Sequence, residues 1–479
     1  MQKEIQNLKD NKHRRSLGAH LTSRDVFLKH IFPAIKTLLW KYTWIDLYAG
    51  EGNLILPILN SIPVEKRIPF FKEHIYLFDI QSEMVQKCIV NAKHYNIPLN
   101  IAQKNIQLRN NLNNFPEFLK SAQFPLFHIT NPPYLYLGYI RKHKETQKYL
   151  DYFKGKNYGY QDLYQIAMIN DLRNKIENLI YIIPSNFLYG ASVSNKFRID
   201  FLEYYKITKM IIFEIKIFKH TGTNICIGFF QRKNSPKSEN VEFEGIKIRK
   251  QNDIITKRYT LKPQFKYRAG SDFDKFLNEY HAPTPLNIKY YLLSNDVLKN
   301  SGDNEVQVVD ANNYQNNEYK KLIIYINDYL KNKLQSNILY IRTVDTGSFE
   351  GRVGLGVISE DFEVNGIYVS ANTYRTHPIQ IFFEPKIPIY EQKLLKNYFN
   401  FILEVFRKKL DSEFLTTYKY SDAQYTRKYL GLTQVRKLIQ TFPYHERDNK
   451  FRIKLNDLIE NKDFIGLLEL LNASQDKSK

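Results

Sequence analysis

Leu126-Phe-His-Ile-Thr-Asn-Pro-Pro-Tyr134 joins a short apolar run to a stiff turn, and its reading decides the fold of the first half of the chain. A strand that reaches Asn131 cannot continue its ladder, because Pro132 lacks an N–H and the two prolines restrict the backbone around them. The Asn131 side chain and the neighbouring carbonyls are thereby held at the carboxyl end of a strand, where open α/β sheets place their ligands. Tyr134 follows at once, an aromatic able to stack on a flat substrate. Acceptors for an amino group beside an aromatic face suit chemistry on an exocyclic amine. By itself the tetrapeptide is only suggestive, and a strand-ending turn whose tyrosine fills a surface gap is the plainer reading.

Working outward, short apolar strands alternate with helical patterns from residue 44 to about 232, as in a sheet built of βαβ units. Ile45–Ala49 reads as a strand ending in Gly50-Glu51-Gly52, with Asn53 placed to cap an apolar helix over Leu54–Leu59. His74–Asp79 reads as a second strand, followed by a helix from Ser82 to about Tyr95. A helix over Asp162–Lys175 precedes the strand Leu179–Ile183, and another over Ser194–Tyr205 precedes strands Ile207–Ile215 and Asn224–Gln231. The last two strands are too close for a crossover, so an antiparallel pair at the sheet edge is expected. Residues 234–240 read as a linker, which divides the chain into domains 1–233 and 241–479. Helical patterns resume at Lys386–Lys409 and Tyr425–Thr441.

Gly50 and Gly52 sit between a strand and a helix, where glycine permits a tight turn and close approach to a ligand. Asp79 ends the next strand; a carboxylate there can accept both ribose hydroxyls of a nucleoside, and Ile80 can cover its base. The same residues are consistent with a ligand-free βα turn. Only two glycines are present, so a dinucleotide fingerprint is incomplete. Asp46, ahead of the glycines, favours a cationic amino-acid head over a pyrophosphate. S-adenosylmethionine therefore fits better than NAD.

The 479 residues carry a formal charge of +21, with +15 in residues 1–240 and +6 in 241–479. An excess spread over folded segments favours a polyanionic partner, through counterion release from phosphates. Two cysteines, Cys88 and Cys226, are too few for a disulfide framework or a thiolate metal site. No apolar run reaches the length of a membrane span, so a soluble, cytoplasmic protein without a membrane partner is expected. Arg141 to Lys156 interleaves basic residues with aromatics after the proline turn. Lys142 and Lys144 are candidates for DNA phosphates, on a loop closing over the backbone or on a solvated basic helix.

Taken together, the order of these elements resembles the S-adenosylmethionine-dependent DNA methyltransferases acting on adenine N6. It is closest to the gamma, TaqI-like order of cofactor segment, catalytic motif and target-recognition domain. That resemblance covers roughly residues 14–232 and the C-terminal half more loosely. It implies a Rossmann-like class I methyltransferase sheet with an antiparallel edge strand, followed by a mixed α+β target-recognition domain. Arg15–Ser23 looks like the segment before the first strand, with Thr22 on the methionine carboxylate; His20 and Ser23 stand where the family has an aromatic and a proline. Asp46, Tyr48, Gly50 and Gly52 match the glycine motif, Asp79 the ribose acid with Ile80 beside it, and Asn105 the residue that binds the adenine amino group. Asn131, Pro132, Pro133 and Tyr134 match the catalytic motif without departure. Asp162–Tyr164, Ile183–Phe187 and Phe218–Thr223 resemble later motifs, with Phe218 as second stacking partner of a flipped-out base.

By the same resemblance the partner is double-stranded DNA, no metal is required, and a cognate restriction endonuclease could be encoded separately. Arg342, Arg352 and Arg375 are the candidate contacts of the C-terminal half. Glu391-Gln-Lys393 has nuclease-like spacing but lacks a convincing acidic partner, and a fused nuclease is rejected. The rival enzyme reading is an RNA or protein-glutamine methyltransferase, since those families share Asn-Pro-Pro-Tyr. A rival of another class is a DNA-binding protein that retains the fold without catalysis.

Overall fold

A computed structural model describes residues 22–218, 224–250, 253–370, 377–419, 426–446 and 448–476. The chain divides into two compact units, Met1–Ala269 and Gly270–Lys479. Among the described residues of the first there are nine strands: β1 (Thr43–Asp46), β2 (Ile75–Asp79), β3 (Ile106–Leu108), β4 (Leu126–Thr130), β5 (Asn178–Pro184), β6 (Tyr205–Phe213), β7 (Ile225–Arg232), β8 (Val241–Ile248) and β9 (Ile254–Leu261). Their order in one sheet is β3-β2-β1-β4-β5-β7-β6-β8-β9. Strands β3, β2, β1, β4 and β5 are all parallel.

Uninterrupted apolar strands suit this arrangement, because helices cover both faces of a parallel sheet. β1 is buried throughout, and in β5 only the first residue is partly exposed. Trp44 of β1 anchors the middle: its indole N–H donates to the Leu39 carbonyl at 2.9 Å, and its ring stacks on Phe127 of β4 at 4.9 Å. The intervening helices include Ser82–Lys93, Leu99–Asn105, Leu163–Arg173 and Asn195–Leu202. From β1 the chain moves outward through β2 and β3, then returns to place β4 on β1's other side. The carboxyl ends of β1 and β4 therefore flank the reversal point where such sheets form a crevice.

β6 and β7 are antiparallel, as their short connection requires, but they do not form the edge. β7 lies between β5 and β6, β8 pairs with β6 in parallel, and β9 pairs with β8. Two expectations are thereby corrected. Residues 234–240 are a loop within the first unit, fastened by the Lys237 N–H to the Glu203 carbonyl at 2.9 Å. Residues 241–261 extend the first sheet, so the division falls at 269/270. The polar, charged texture after residue 234 marks half-exposed outer strands, not a new domain: β8 alternates buried and exposed positions along its length.

The second unit is mixed α and β. One four-stranded sheet runs Ile288–Tyr290, Ile379–Phe383, Leu339–Arg342, Gly354–Val357, and another runs Leu292–Leu293, Gly366–Val369, Ser301–Gln315, Glu318–Ile326. The 22-residue helix Ile389–Leu410 starts after Pro388 and buries Leu395, Phe399, Ile402 and Phe406. The helical pattern expected from Tyr425 is shorter: Arg427–Tyr429 is a strand, and helix Leu432–Ile439 starts after Gly431. No helix among the described residues is long and apolar enough to cross a membrane.

Candidate active site at the carboxyl ends of β1, β2 and β4

β1 ends in Asp46, and the loop after it is shaped by side chains from the neighbouring strands. Asp46 Oδ1 accepts the Tyr48 N–H at 2.9 Å and the Thr130 hydroxyl at 2.6 Å, so the end of β1 is tied to the end of β4. The carboxyl is 1% exposed, and burial pushes its pKa up to about 6. The Leu47 N–H donates to His128 Nε2 at 3.1 Å, while the Leu47 carbonyl accepts from Asn111 Nδ2 at 2.8 Å.

Gly50 and Gly52 adopt positive φ of 55° and 81°. A Cβ on Gly52 would stand 2.6 Å from Leu56 Cδ1 and 2.7 Å from Cys88 Sγ, so position 52 admits no side chain without displacement. Asp79 closes the loop from β2: Oδ2 accepts the Gly50 N–H at 2.9 Å and Oδ1 the Gln81 N–H at 2.8 Å. Burial raises its pKa against the opposing pull of the Gln81, Gly50 and Ile80 amides. Ile80 beside it is 54% exposed, an aliphatic side chain left open next to a carboxylate. The Tyr48 hydroxyl is buried without a hydrogen-bond partner among the described residues. Asn53 does not cap a helix; its amide donates to the Thr22 carbonyl at 3.0 Å, fastening the loop to the segment before the first strand.

β4 delivers the second half of the site. Asn131 Nδ2 donates to Thr22 Oγ1 at 2.9 Å. The Tyr134 hydroxyl donates to Asn131 Oδ1 and lies 2.5 Å from the Ile182 carbonyl of β5. Tyr134 is 9% exposed, its ring edge-on to Tyr164 at 6.4 Å, and burial holds its hydroxyl well above the ordinary tyrosine pKa. The next residue is fixed from another direction, by the Leu135 N–H donating to Asp162 Oδ1 at 2.9 Å. Burial pushes the Asp162 carboxyl up to about 7.

Beneath the loop lies a cluster that the sequence pattern did not single out. His128 Nε2 faces a backbone N–H, so it is the acceptor and the ring proton sits on Nδ1, 2.6 Å from Asp171 Oδ2. The Tyr181 hydroxyl donates to the same oxygen at 2.5 Å. All three side chains are buried. The one signal was a histidine flanked by apolar residues inside β4.

The structure brings Thr22, Asp46, Tyr48, Gly50, Gly52, Asp79, Ile80, Asn131 and Tyr134 to neighbouring strand ends. Asn105 is a correction: it ends the Leu99–Asn105 helix and precedes β3, at the opposite edge of the sheet. Its Nδ2 sits 2.8–3.1 Å from the carbonyls of Phe71, Lys72 and Ile75, which makes it a structural clasp. At the ligand edge of β3 stand Asn110 and Asn111 instead. Phe218, like Tyr134, is packed in the core, at 6% exposed.

Lys142 and Lys144 are exposed, on helical turns (Leu137–Lys142, Lys144–Phe153) where a loop was one of the two readings. In the second unit, Arg352 is 14% exposed and faces Glu404 at 3.4 Å, while Arg342 donates to the Tyr340 hydroxyl at 3.1 Å and to the Glu350 carbonyl. Arg375, residues 15–21 and residues 219–223 lie outside the described residues.

No curated protein matches the chain. Among solved structures, the type IIG restriction endonuclease BpuSI aligns at 10% identity and TM-score 0.41, over 93% of this chain and 62% of that one. A nuclease-deletion mutant of the type ISP enzyme LlaGI, solved with a DNA substrate mimic, gives 12% and 0.40, over 63% and 36%. A modification subunit of a putative type I enzyme from Vibrio vulnificus YJ016 gives 15% and 0.36, over 58% and 56%. The chain thus spans less than two thirds of the length of these proteins. Residues 20–218, which carry the glycine loop, the Asp79 strand end and the Asn131–Tyr134 turn, match the Eco57I restriction-modification methylase family.

Proposed function

We propose that the first unit transfers a methyl group from S-adenosylmethionine to N6 of an adenine in duplex DNA, as the modification enzyme of a restriction-modification system. The second unit would select the target sequence, and any cognate endonuclease would be a separate chain. The observation that carries this reading is the carboxamide of Asn131, held by Thr22 and Tyr134 at the strand end tied through Thr130 to the Asp46 loop.

The residues fit the cofactor by their donor set and shape. The left-handed turn at Gly50 and Gly52 is held against Asp79, Asp79 retains lone pairs for ribose hydroxyls beside its amide bonds, and exposed Ile80 suits an adenine face. Thr22 would meet the amino-acid end. When bound, the cofactor supplies an electrophilic methyl on a sulfonium.

The chain's own part is acceptance and alignment. An adenine amine is a poor nucleophile, because its lone pair is delocalised into the ring. Asn131 Oδ1 and the Pro132 carbonyl would accept the two N–H hydrogens. That draws the nitrogen towards tetrahedral geometry and aims its lone pair for in-line displacement. The base must leave the duplex stack to reach the strand end, and Tyr134 is the aromatic positioned beside Asn131. Exposed Lys142 and Lys144 would contact phosphates.

The test is transfer of tritiated methyl from S-adenosylmethionine to duplex DNA, RNA and a glutamine-bearing release factor, followed by nucleoside and amino-acid analysis. N6-methyladenine in DNA is expected. Label appearing only in RNA or on glutamine would overturn the substrate assignment.

A further inference from the structure

We infer that His128 is a positioning residue for the cofactor, holding the Leu47 peptide, and through it the glycine loop, from beneath. The inference rests on the reading of that loop as the site of S-adenosylmethionine.

The Leu47 peptide is gripped from two directions. Its N–H donates to His128 Nε2 at 3.1 Å, and the Leu47 carbonyl accepts from Asn111 Nδ2 at 2.8 Å. The next three amides are also taken up inside the protein. The Tyr48 N–H goes to Asp46 Oδ1 at 2.9 Å, the Ala49 N–H to the Phe78 carbonyl at 2.7 Å, and the Gly50 N–H to Asp79 Oδ2 at 2.9 Å. Three strands thus set the course of the loop, and His128 is the contribution of β4.

Donor and acceptor are unambiguous in this tie. A backbone N–H can only donate, so Nε2 offers a lone pair and the ring proton sits on Nδ1. Nδ1 lies 2.6 Å from Asp171 Oδ2, which also accepts the Tyr181 hydroxyl at 2.5 Å. Asp171 of helix Leu163–Arg173 and Tyr181 of β5 therefore fix the tautomer that the Leu47 amide requires. All three side chains are fully buried, so they act through the peptide and not by touching a ligand.

β4 places His128 between Phe127 and Ile129, in a layer that apolar side chains could fill. Buried polar groups stabilise a fold no better than well-packed apolar groups of similar volume. What His128 adds over a leucine is an acceptor aimed at a loop amide. Gly50 and Gly52, at φ of 55° and 81°, impose little conformational preference of their own. Without the tie the loop would sample more conformations, and cofactor binding would have to order it.

Affinity and stability separate positioning from packing. The Kd for S-adenosylhomocysteine, by calorimetry, and the urea midpoint are compared for the parent, His128→Leu, His128→Gln and the triple variant His128→Leu/Asp171→Leu/Tyr181→Phe. The triple variant removes the acceptor without leaving a buried carboxylate behind. Its Kd should rise about tenfold or more while its midpoint stays near that of the parent. His128→Leu should raise Kd as much and also lower the midpoint, because Asp171 loses a partner. His128→Gln, whose Oε1 can accept the Leu47 N–H, should lose stability yet bind within a few-fold of the parent.

Affinity that follows the midpoint instead, with the triple variant binding as the parent does, would overturn the inference. The ring nitrogen resonances of His128 in the cofactor-free parent give a check that needs no variant. A pyridine-like Nε2 and a pyrrole-like Nδ1 are expected, and the opposite pattern would also overturn the inference. A folded parent that binds no S-adenosylhomocysteine would instead overturn the cofactor reading itself, and the inference with it.

Discussion

The two units use their polar side chains differently. In the first, Asp46, Asp79, Thr130, Asn131 and Thr22 bind backbone amides and one another across three strand ends, leaving an exposed Ile80 and a substitution-intolerant Gly52 beside them. In the second, arginines are turned on their own neighbours, among them Arg352, which read as a nucleic-acid contact. Arg352 faces Glu404, and Arg407 pairs with Glu404 and Asp345 while donating to the Val353 carbonyl at 2.6 Å. The difference teaches that residue type indicates function only where backbone geometry restricts what the side chain can do. A proline-stiffened strand end does so; an arginine in a long polar stretch does not.

The sharpest way to break this contrast is Asn131→Ala. Methyl transfer should fall by at least ~10³-fold with cofactor affinity nearly unchanged, measured by single-turnover kinetics and calorimetry. Equal losses in both would move Asn131 into the scaffold, alongside the second unit's arginines. Tyr134→Phe should also lower the rate, because the hydroxyl holds Asn131 Oδ1.

Arg407→Ala tests the other side. Its side chain is 4% exposed, and removing it leaves Asp345 and Glu404 without that partner. The second unit should lose roughly 3 kcal/mol of stability in urea unfolding. A variant that unfolds normally but fails to bind DNA would make Arg407 a reader and end the contrast.

Asp79→Asn keeps the shape and removes the charge that faces the Gly50 and Gln81 amides. Cofactor affinity should weaken by about tenfold, read by calorimetry. Unchanged affinity would reduce Asp79 to a loop brace.

Asp46 gives a smaller, pH-dependent effect. Burial raises the folded carboxyl to about 6, above the unfolded value of roughly 4. Its stabilising contribution is therefore complete below the unfolded value and lost as pH rises through the folded one. Asp46→Asn cannot ionise, so its unfolding midpoint should gain on that of the parent between about pH 4 and pH 7. A constant difference across that range would show that the carboxyl is not held protonated by burial.

The smallest expected effect belongs to the exposed lysines. Replacing Lys142 and Lys144 together by Ala should weaken duplex binding a few-fold at every sequence and reduce the salt slope by roughly one for each phosphate no longer neutralised. Arg352→Ala should leave that slope unchanged.

Legibility in the sequence followed the range of the forces involved. β4 was readable to the residue, Leu126–Thr130, because an apolar run meets two prolines that no strand can absorb. The sheet's outer strands were not readable as part of the first unit: β8 alternates exposed and buried positions, and its pairing with β6 joins residues about 35 apart. Asn105 failed for a related reason. A three-residue strand has no clear beginning in sequence, so an asparagine entering β3 was read as one leaving it. The stacking role given to Tyr134 overlooked its hydroxyl, since nothing local indicates that Ile182 and Asn131 will both lie within reach.

The sequence by itself determined the parallel core, the glycine loop after β1, the acid ending β2 and the turn after β4. Each depends on neighbours within a few residues, through missing N–H groups, absent side chains or apolar runs. Tertiary structure alone decided that Thr22 would meet Asn131 across 109 positions, that His128 and Asp171 would lie under the loop, and that Arg352 would be taken by Glu404. Those contacts are set by strand order and helix packing, which bring together side chains that no local pattern connects.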